Sequence, residues 1–155
     1  RFLARMMNPL LDILPAGAFG LDFGCGPGPA LAAMLEERGF TMSVFDKYYA
    51  HDTEAMEVEY DFVCTTEVVE HLQQPFTVIE QLWKLIKPRG VLGVMTKRVQ
   101  DLEKFKGWHY KSDPTHIVFF HENTFAWIAK KLGADLRIIS SDVVLLLKPD
   151  ATILP

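Results

Sequence analysis

The sequence predicts a three-layer, doubly wound α/β sheet, mostly parallel and finished by an antiparallel hairpin. Three observations lead there. An apolar strand, Gly20 to Phe23, runs into a glycine-rich turn and then directly into a helical pattern from Pro29 to Arg38. Further short apolar runs alternate with amphipathic segments, and helices placed between strands force those strands to pair in parallel. The last two runs, Asp135 to Ile139 and Val143 to Leu147, are joined only by Ser140-Ser141-Asp142, so one strand near an edge must run antiparallel.

Each element has its own signal. Leu3, Met6, Met7, Leu10, Leu11 and Leu14 recur at three- and four-residue spacing, which predicts an opening amphipathic helix interrupted by Pro9 and closed by Pro15. The helix after the glycine turn begins at a proline, tolerated in a first turn, and Gly39 stands where a left-handed cap ends it. Thr41 to Phe45 is the second strand and leads into Asp46. Lys47 to Tyr60 is too short for a full helix plus another strand and reads as loop with at most a brief helix or edge strand, so the fold is shortened after the second strand. Phe62 to Thr65 is the next strand. A helix from Pro75 to Ile86 buries Ile79, Leu82, Trp83 and Ile86, and Lys87-Pro88-Arg89-Gly90 breaks it before a strand from Val91 to Met95. A long connection, Thr96 to Pro114, continues through Thr115 to Phe120 as ordered loop or short strand. A helix from Asn123 to Leu132 then ends at Gly133.

The 155 residues suit one domain, residues 1–155, and the start at Arg1 rather than methionine is read as a fragment lacking upstream residues. Apolar residues make up 49% and charged residues 23%, which excludes a disordered chain. A net charge of −4 argues against a nucleic-acid partner. The Lys97-Arg98 and Lys104 to Lys106 groups read as solvated loop. No apolar run reaches membrane-span length. Two cysteines, Cys25 and Cys64, make no disulfide framework and are expected to be reduced in a cytoplasmic protein.

The glycine turn is spaced G-x-G-x-G through Gly24, Gly26 and Gly28, with Asp22 two residues ahead. A dinucleotide fingerprint needs a third glycine one place later, where Pro29 stands. An open turn beside a carboxylate suits a cofactor with an amino-acid arm, whose ammonium Asp22 can meet. Asp46, 22 residues after Gly24, ends the second strand where a carboxylate accepts ribose hydroxyls. A ligand-free corner and a solvated aspartate are the plain alternatives.

Leu21-Asp22-Phe23-Gly24-Cys25-Gly26-Pro27-Gly28 resembles motif I of the S-adenosylmethionine-dependent methyltransferases with the Rossmann-like fold. Tyr60 to Leu72, followed by Pro75, resembles that family's fourth-strand motif, and Leu85 to Leu92 its turn into the fifth strand. With the closing hairpin, the resemblance runs from Phe19 to Lys148. It implies S-adenosyl-L-methionine as cofactor, with Asp22, Gly24, Cys25, Gly26 and Gly28 around its methionine part. Asp46 would hold the ribose, with Lys47 and Tyr48 beside it, and Thr65, Thr66 and Glu67 would lie under the cofactor. His51, Asp52 and Thr53 are the residues available for the adenine side.

The same resemblance places substrate-facing residues after the fifth strand, where Trp108-His109-Tyr110 and Asp113-Pro114-Thr115-His116 follow the pattern of a bacterial subgroup. His109, Tyr110 and His116 are the candidate bases for an acceptor that must lose a proton. A loop ordered by its aromatic rings is the alternative. His71 is read first as ordering the loop before Pro75. The spacings of His109, His116 and His121 match no familiar zinc site, so no metal is expected. The expected partner is a small-molecule substrate, with no nucleic acid and no membrane, and self-association is left open. Two other functions stand beside methyl transfer: a non-catalytic cofactor-binding regulatory or assembly domain, and a nicotinamide-dependent oxidoreductase, against which the absent third glycine counts.

Overall fold

The structure, a computed structural model, describes residues 1–151; the last four residues of the expected 1–155 domain lie outside the described residues. Six strands form one sheet: β1 (Phe19–Phe23), β2 (Thr41–Phe45), β3 (Tyr60–Thr66), β4 (Ile86–Met95), β5 (Asp135–Ile138) and β6 (Val143–Leu147). Their order is β2-β1-β3-β4-β6-β5. The first four strands pair in parallel, while β6 lies antiparallel between β4 and β5. The expected mostly parallel sheet with a terminal hairpin is the architecture found.

Helices cover both faces. Helices α1 (Ala4–Ile13) and α2 (Ala30–Glu36) bury Met6, Met7, Leu10, Leu31 and Leu35 against Phe62, Cys64, Val91 and Leu145 on one face. Helices α3 (Pro75–Lys84) and α5 (Glu122–Leu132) bury Ile79, Leu82, Phe125 and Ile128 against Leu21, Val63, Leu92 and Val144 on the other. The alternation of Phe62, Val63 and Cys64 between the two cores is the period-two pattern of a strand buried on both sides. A short helix, α4 (Leu102–Lys106), stands in the long connection after β4. Among the described residues, no helix is long and apolar enough to cross a membrane.

Several local expectations need correction. Pro9 does not interrupt the first helix, which runs unbroken from Ala4 to Ile13. The missing N–H of Pro9 costs one helical bond, and burial of Met6, Met7 and Leu10 on both sides of it outweighs that loss. Helix α3 stops at Lys84, and Ile86 pairs with Tyr60 as the first residue of β4. Lys87 to Gly90 then loop out before Val91 resumes the ladder opposite Phe62, with Arg89 at φ 67°. Helix α5 begins one residue early because His121 caps it: its Nδ1 accepts the N–H of Asn123, and Thr124 reciprocates.

The segment between β2 and β3 holds only a 3₁₀ turn, Thr53–Met56, capped by the Asp52 side chain. The chain leaves β1 for β2 on one side of the sheet and returns to β3 on the other. The carboxyl ends of β1 and β3 therefore flank a topological switch point.

Candidate functional site

Gly24, the first residue past β1, has φ 78°, and a Cβ there would lie 2.3 Å from Val68 Cγ2. Only glycine fits that position. Its N–H donates to the Phe45 carbonyl at 2.7 Å, and the Cys25 N–H reaches the same oxygen at 3.3 Å, which ties the turn to the end of β2. Gly26 has φ 69° and, like Gly28, faces open space: a Cβ at either would meet nothing within 4 Å. The turn thus presses its first glycine into the protein and leaves the other two facing outward.

Asp46 fastens this turn from the other side. Its Oδ2 accepts the Gly26 N–H at 2.9 Å, and its Oδ1 accepts those of Tyr48 and Tyr49 at 2.8 and 3.2 Å. Partial burial raises the Asp46 pKa, but the amides of Tyr48, Gly26 and Tyr49 outweigh it and hold the carboxyl below its ordinary range. A carboxylate has about four lone-pair sites, so these three bonds leave room for one more donor. Lys47 lies over the Tyr48 ring at 5.5 Å, and both are exposed. His51 packs beside Phe45, Asp52 caps the 3₁₀ turn, and Thr53 starts it.

Asp22 points into the interior beneath the turn. It is 3% exposed, and burial pushes its pKa up to about 6 despite the amide of Ala32, in the first turn of α2, which lowers it. A buried carboxyl held this way gains from a cationic partner. Burial, with the charges of Asp22 and Asp46, also raises the Cys25 thiol.

At the end of β3, beside the switch point, Thr65 Oγ1, Thr66 Oγ1 and Glu67 Oε1 are buried without a hydrogen-bond partner. Glu67 has φ 54°, uncommon for a residue with a side chain, and its N–H donates to the Met95 carbonyl at 2.8 Å. Buried polar atoms are normally paired, so three orphans in consecutive residues mark a place that awaits a polar ligand. Together with the open glycines and the buried Asp22, they fit a cofactor that carries both an ammonium and hydroxyl groups.

The three candidate bases separate. His109 is exposed, with its Nε2 3.4 Å from Lys97 Nζ. Tyr110 is 5% exposed; its hydroxyl donates to Glu70 Oε1 at 2.5 Å and lies 3.1 Å from Glu67 Oε2 and 3.3 Å from Thr96 Oγ1. Burial, then the bond to Glu70, raises the Tyr110 pKa, which makes the phenol an anchor rather than a ready proton acceptor. Burial and the Glu70 charge also raise the Glu67 pKa. The His116 ring packs at a tilt against Tyr110, centroids 4.0 Å apart, and lies 4.8 Å from the His71 ring. His71 Nδ1 is 2.9 Å from the Thr115 carbonyl, so it ties the exit of β3 to the later loop. His121 is occupied as a helix cap and does not join His109 or His116 in a cluster.

Sequence reasoning missed two features. One is the convergence of Glu70, His71 and His116, whose ligand atoms lie within 4.8 Å of one another. The other is a cavity of about 360 Å³ past the end of β4, lined by Lys97, Arg98, Lys104, Trp108, His109 and Asp142 among others. The two basic groups expected in solvated loop contribute to its wall. Only the Lys97-Arg98 and Lys104 to Lys106 clustering hinted at this.

A family profile described as "Methyltransferase domain" matches residues 1–138. No curated protein sequence matches the chain. Among solved structures, the fold is similar to an S-adenosylmethionine-dependent methyltransferase from Archaeoglobus fulgidus, at TM-score 0.74 and 16% identity over 95% of this chain and 93% of that one. An O-methyltransferase family protein from Burkholderia thailandensis aligns at TM-score 0.66 and 18% identity over 97% of this chain, which spans 58% of that protein. Magnesium protoporphyrin IX methyltransferase from Synechocystis PCC 6803, solved with bound S-adenosylhomocysteine, aligns at TM-score 0.64 and 17% identity over 94% of this chain and 80% of that one. At these identities the likeness is one of fold.

Proposed function

We propose, from the premise that this chain belongs to the methyltransferase domain family, that it methylates a small molecule held beside Lys97 and His109. The enzyme depends on S-adenosyl-L-methionine, which when bound supplies an electrophilic methyl group on a sulfonium centre. The observation that carries the reading is the run of unpartnered polar atoms at Thr65, Thr66 and Glu67 beside the open glycine turn.

In this reading Asp22 balances the ammonium of the cofactor's methionine arm, directly or through water. Gly26 and Gly28 let that arm lie close to the backbone. Asp46, already holding the turn, uses its remaining acceptor site for the ribose. Lys47 and Tyr48 flank it, and Thr65, Thr66 and Glu67 form the floor. Cys25 sits within the turn as a packed thiol, and Cys25 and Cys64 as free thiols fit a reducing cytoplasm.

The cavity past β4 supports a small acceptor, because its volume of about 360 Å³ lies within the range of ligand sites. Lys97, Arg98 and Lys104 against the single acid Asp142 favour an acceptor with an anionic group. Methyl transfer needs the acceptor atom aligned behind the methyl, so holding the acceptor and excluding water supply most of the rate. Of the three candidate bases, His109 alone lines this cavity, and it takes a proton from the acceptor when its Nε2 is released from Lys97 Nζ, 3.4 Å away.

Calorimetric titration with S-adenosylhomocysteine and with NADH tests the cofactor; tighter binding of NADH overturns the reading. S-adenosylhomocysteine formation across a panel of small acceptors tests the rest. Anionic acceptors should turn over fastest, with KM raised by Lys97→Ala, and faster turnover of neutral acceptors would sink the assignment of the cavity.

A further inference from the structure

Glu70 is 0% exposed, yet it carries a carboxyl group. Its Oε1 accepts the Tyr110 hydroxyl, and its Oε2 has no hydrogen-bond partner. Among the described residues its one ion pair is with His71, whose Nε2 lies 3.9 Å from Oε1. A buried carboxyl with one oxygen unpaired and no lysine or arginine against it calls for a positive charge nearby.

The two histidines beside it are already fixed. His71 Nδ1 lies 2.9 Å from the carbonyl of Thr115, and His116 Nδ1 lies 2.6 Å from the carbonyl of Tyr110. A carbonyl only accepts, so each Nδ1 carries a proton, and the lone pair of each neutral ring is on Nε2. A backbone carbonyl on the far nitrogen is the arrangement that orients a metal-ligating histidine. His116 is also 3.7 Å from Asp113 through Nε2, an additional carboxylate at the rim. Glu67, whose Oε1 is likewise unpartnered, shares the Tyr110 hydroxyl with Glu70.

We propose that Glu70, His71 and His116 form a binding site for one divalent first-row transition cation. Their ligand atoms lie within 4.8 Å of one another, and ligands around a cation with bonds of about 2.1 Å are roughly 3 to 4 Å apart. Side-chain shifts on the order of 1 Å close the site. Two imidazoles and a carboxylate favour manganese, iron, cobalt or zinc over magnesium or calcium, which prefer oxygen alone. The His71 side chain is 36% exposed, so a path from solvent exists. A bound cation would join the exit of β3, which carries Glu70 and His71, to the loop that carries His116.

The test uses the full chain, stripped with a chelator and titrated with Mn²⁺ under electron paramagnetic resonance and with Zn²⁺ by calorimetry. One equivalent should bind. Affinity should fall roughly tenfold or more in His71→Ala and in His116→Ala, and stay unchanged in His109→Ala and His121→Ala. S-adenosylhomocysteine titration of each variant shows that the fold and the cofactor site persist, and separates failure of the metal site from failure of the cofactor reading. Absence of binding by the parent chain overturns the proposal, as does equal affinity in the His71 and His116 variants. Loss confined to the His109 or His121 variant overturns it too.

Discussion

The Asp46 carboxylate accepts the backbone N–H of Gly26 at 2.9 Å, across 20 residues of chain. One side chain therefore fixes the shape of the turn while keeping an acceptor site toward the space the turn encloses. Asp46→Asn retains a single acceptor oxygen for the three amides. We expect a stability loss of about 1 kcal/mol and a fall in S-adenosylhomocysteine affinity of roughly tenfold to a hundredfold, read by denaturation and calorimetry. Unchanged affinity would remove Asp46 from the cofactor site.

Gly24→Ala combines a positive φ with a Cβ 2.3 Å from Val68 Cγ2. Strain of about 1 kcal/mol from the backbone and about 1–3 kcal/mol from overpacking should add. Urea unfolding of Gly24→Ala beside Gly28→Ala checks this, since a Cβ at Gly28 meets nothing within 4 Å. Equal loss in the two would show that the crowding at Val68 is not felt.

Asp22 sets a pH dependence of stability. Its folded pKa of about 6 lies above the ordinary 3.8, so the folded protein favours the protonated form. That contribution is fully present below about pH 4 and is lost as the pH rises through about 6. Asp22→Asn should remove the dependence and raise stability at pH 7 by up to about 3 kcal/mol. It should also weaken S-adenosylhomocysteine, whose binding to the parent chain should tighten as Asp22 ionises. Parallel thermal melts of parent and variant between pH 4 and pH 8 decide the matter; parallel curves would mean that Asp22 titrates normally.

Tyr110 and His109 are neighbours with opposite surroundings, and their variants should differ. Tyr110→Phe removes the donor that Glu67 and Glu70 share, and should cost about 2 kcal/mol of stability. His109→Ala should leave stability within about 0.5 kcal/mol, as for other exposed positions, and lower kcat on any acceptor that must lose a proton. Unchanged kcat with such an acceptor would show that His109 is not the base.

Much of the fold was legible because its signals are local. Gly24 and Gly26 occupy positive-φ positions that the G-x-G-x-G spacing announces, and Gly39 and Gly133 end helices in the left-handed conformation their placement implies. The two closing strands could be paired from the brevity of their link. Pro9 misled because propensity is a local cost, and the buried side chains around it carry a larger tertiary gain. Thr65 to Glu67 were readable as a strand end by resemblance, but that they are unpartnered depends on what surrounds them. The meeting of Glu70 with His116, 46 residues apart, has no periodic signature at all. Nor does the wall that Lys97 and Lys104 form with Asp142, because its members belong to loops whose course is set by packing.

The position of β6 bears on how the molecule is assembled in time. Val143–Leu147 is the last strand among the described residues, yet it lies inside the sheet, bonded to β4 on one side and to β5 on the other. Until it arrives, β4 presents an open edge and β5 has no partner, while β1, α2 and β2 already make one another's contacts from nearby sequence. Synthesis that has passed Ser140 but not reached Val143 has thus delivered every residue proposed here to bind cofactor, acceptor proton or metal, but not the strand that closes the sheet.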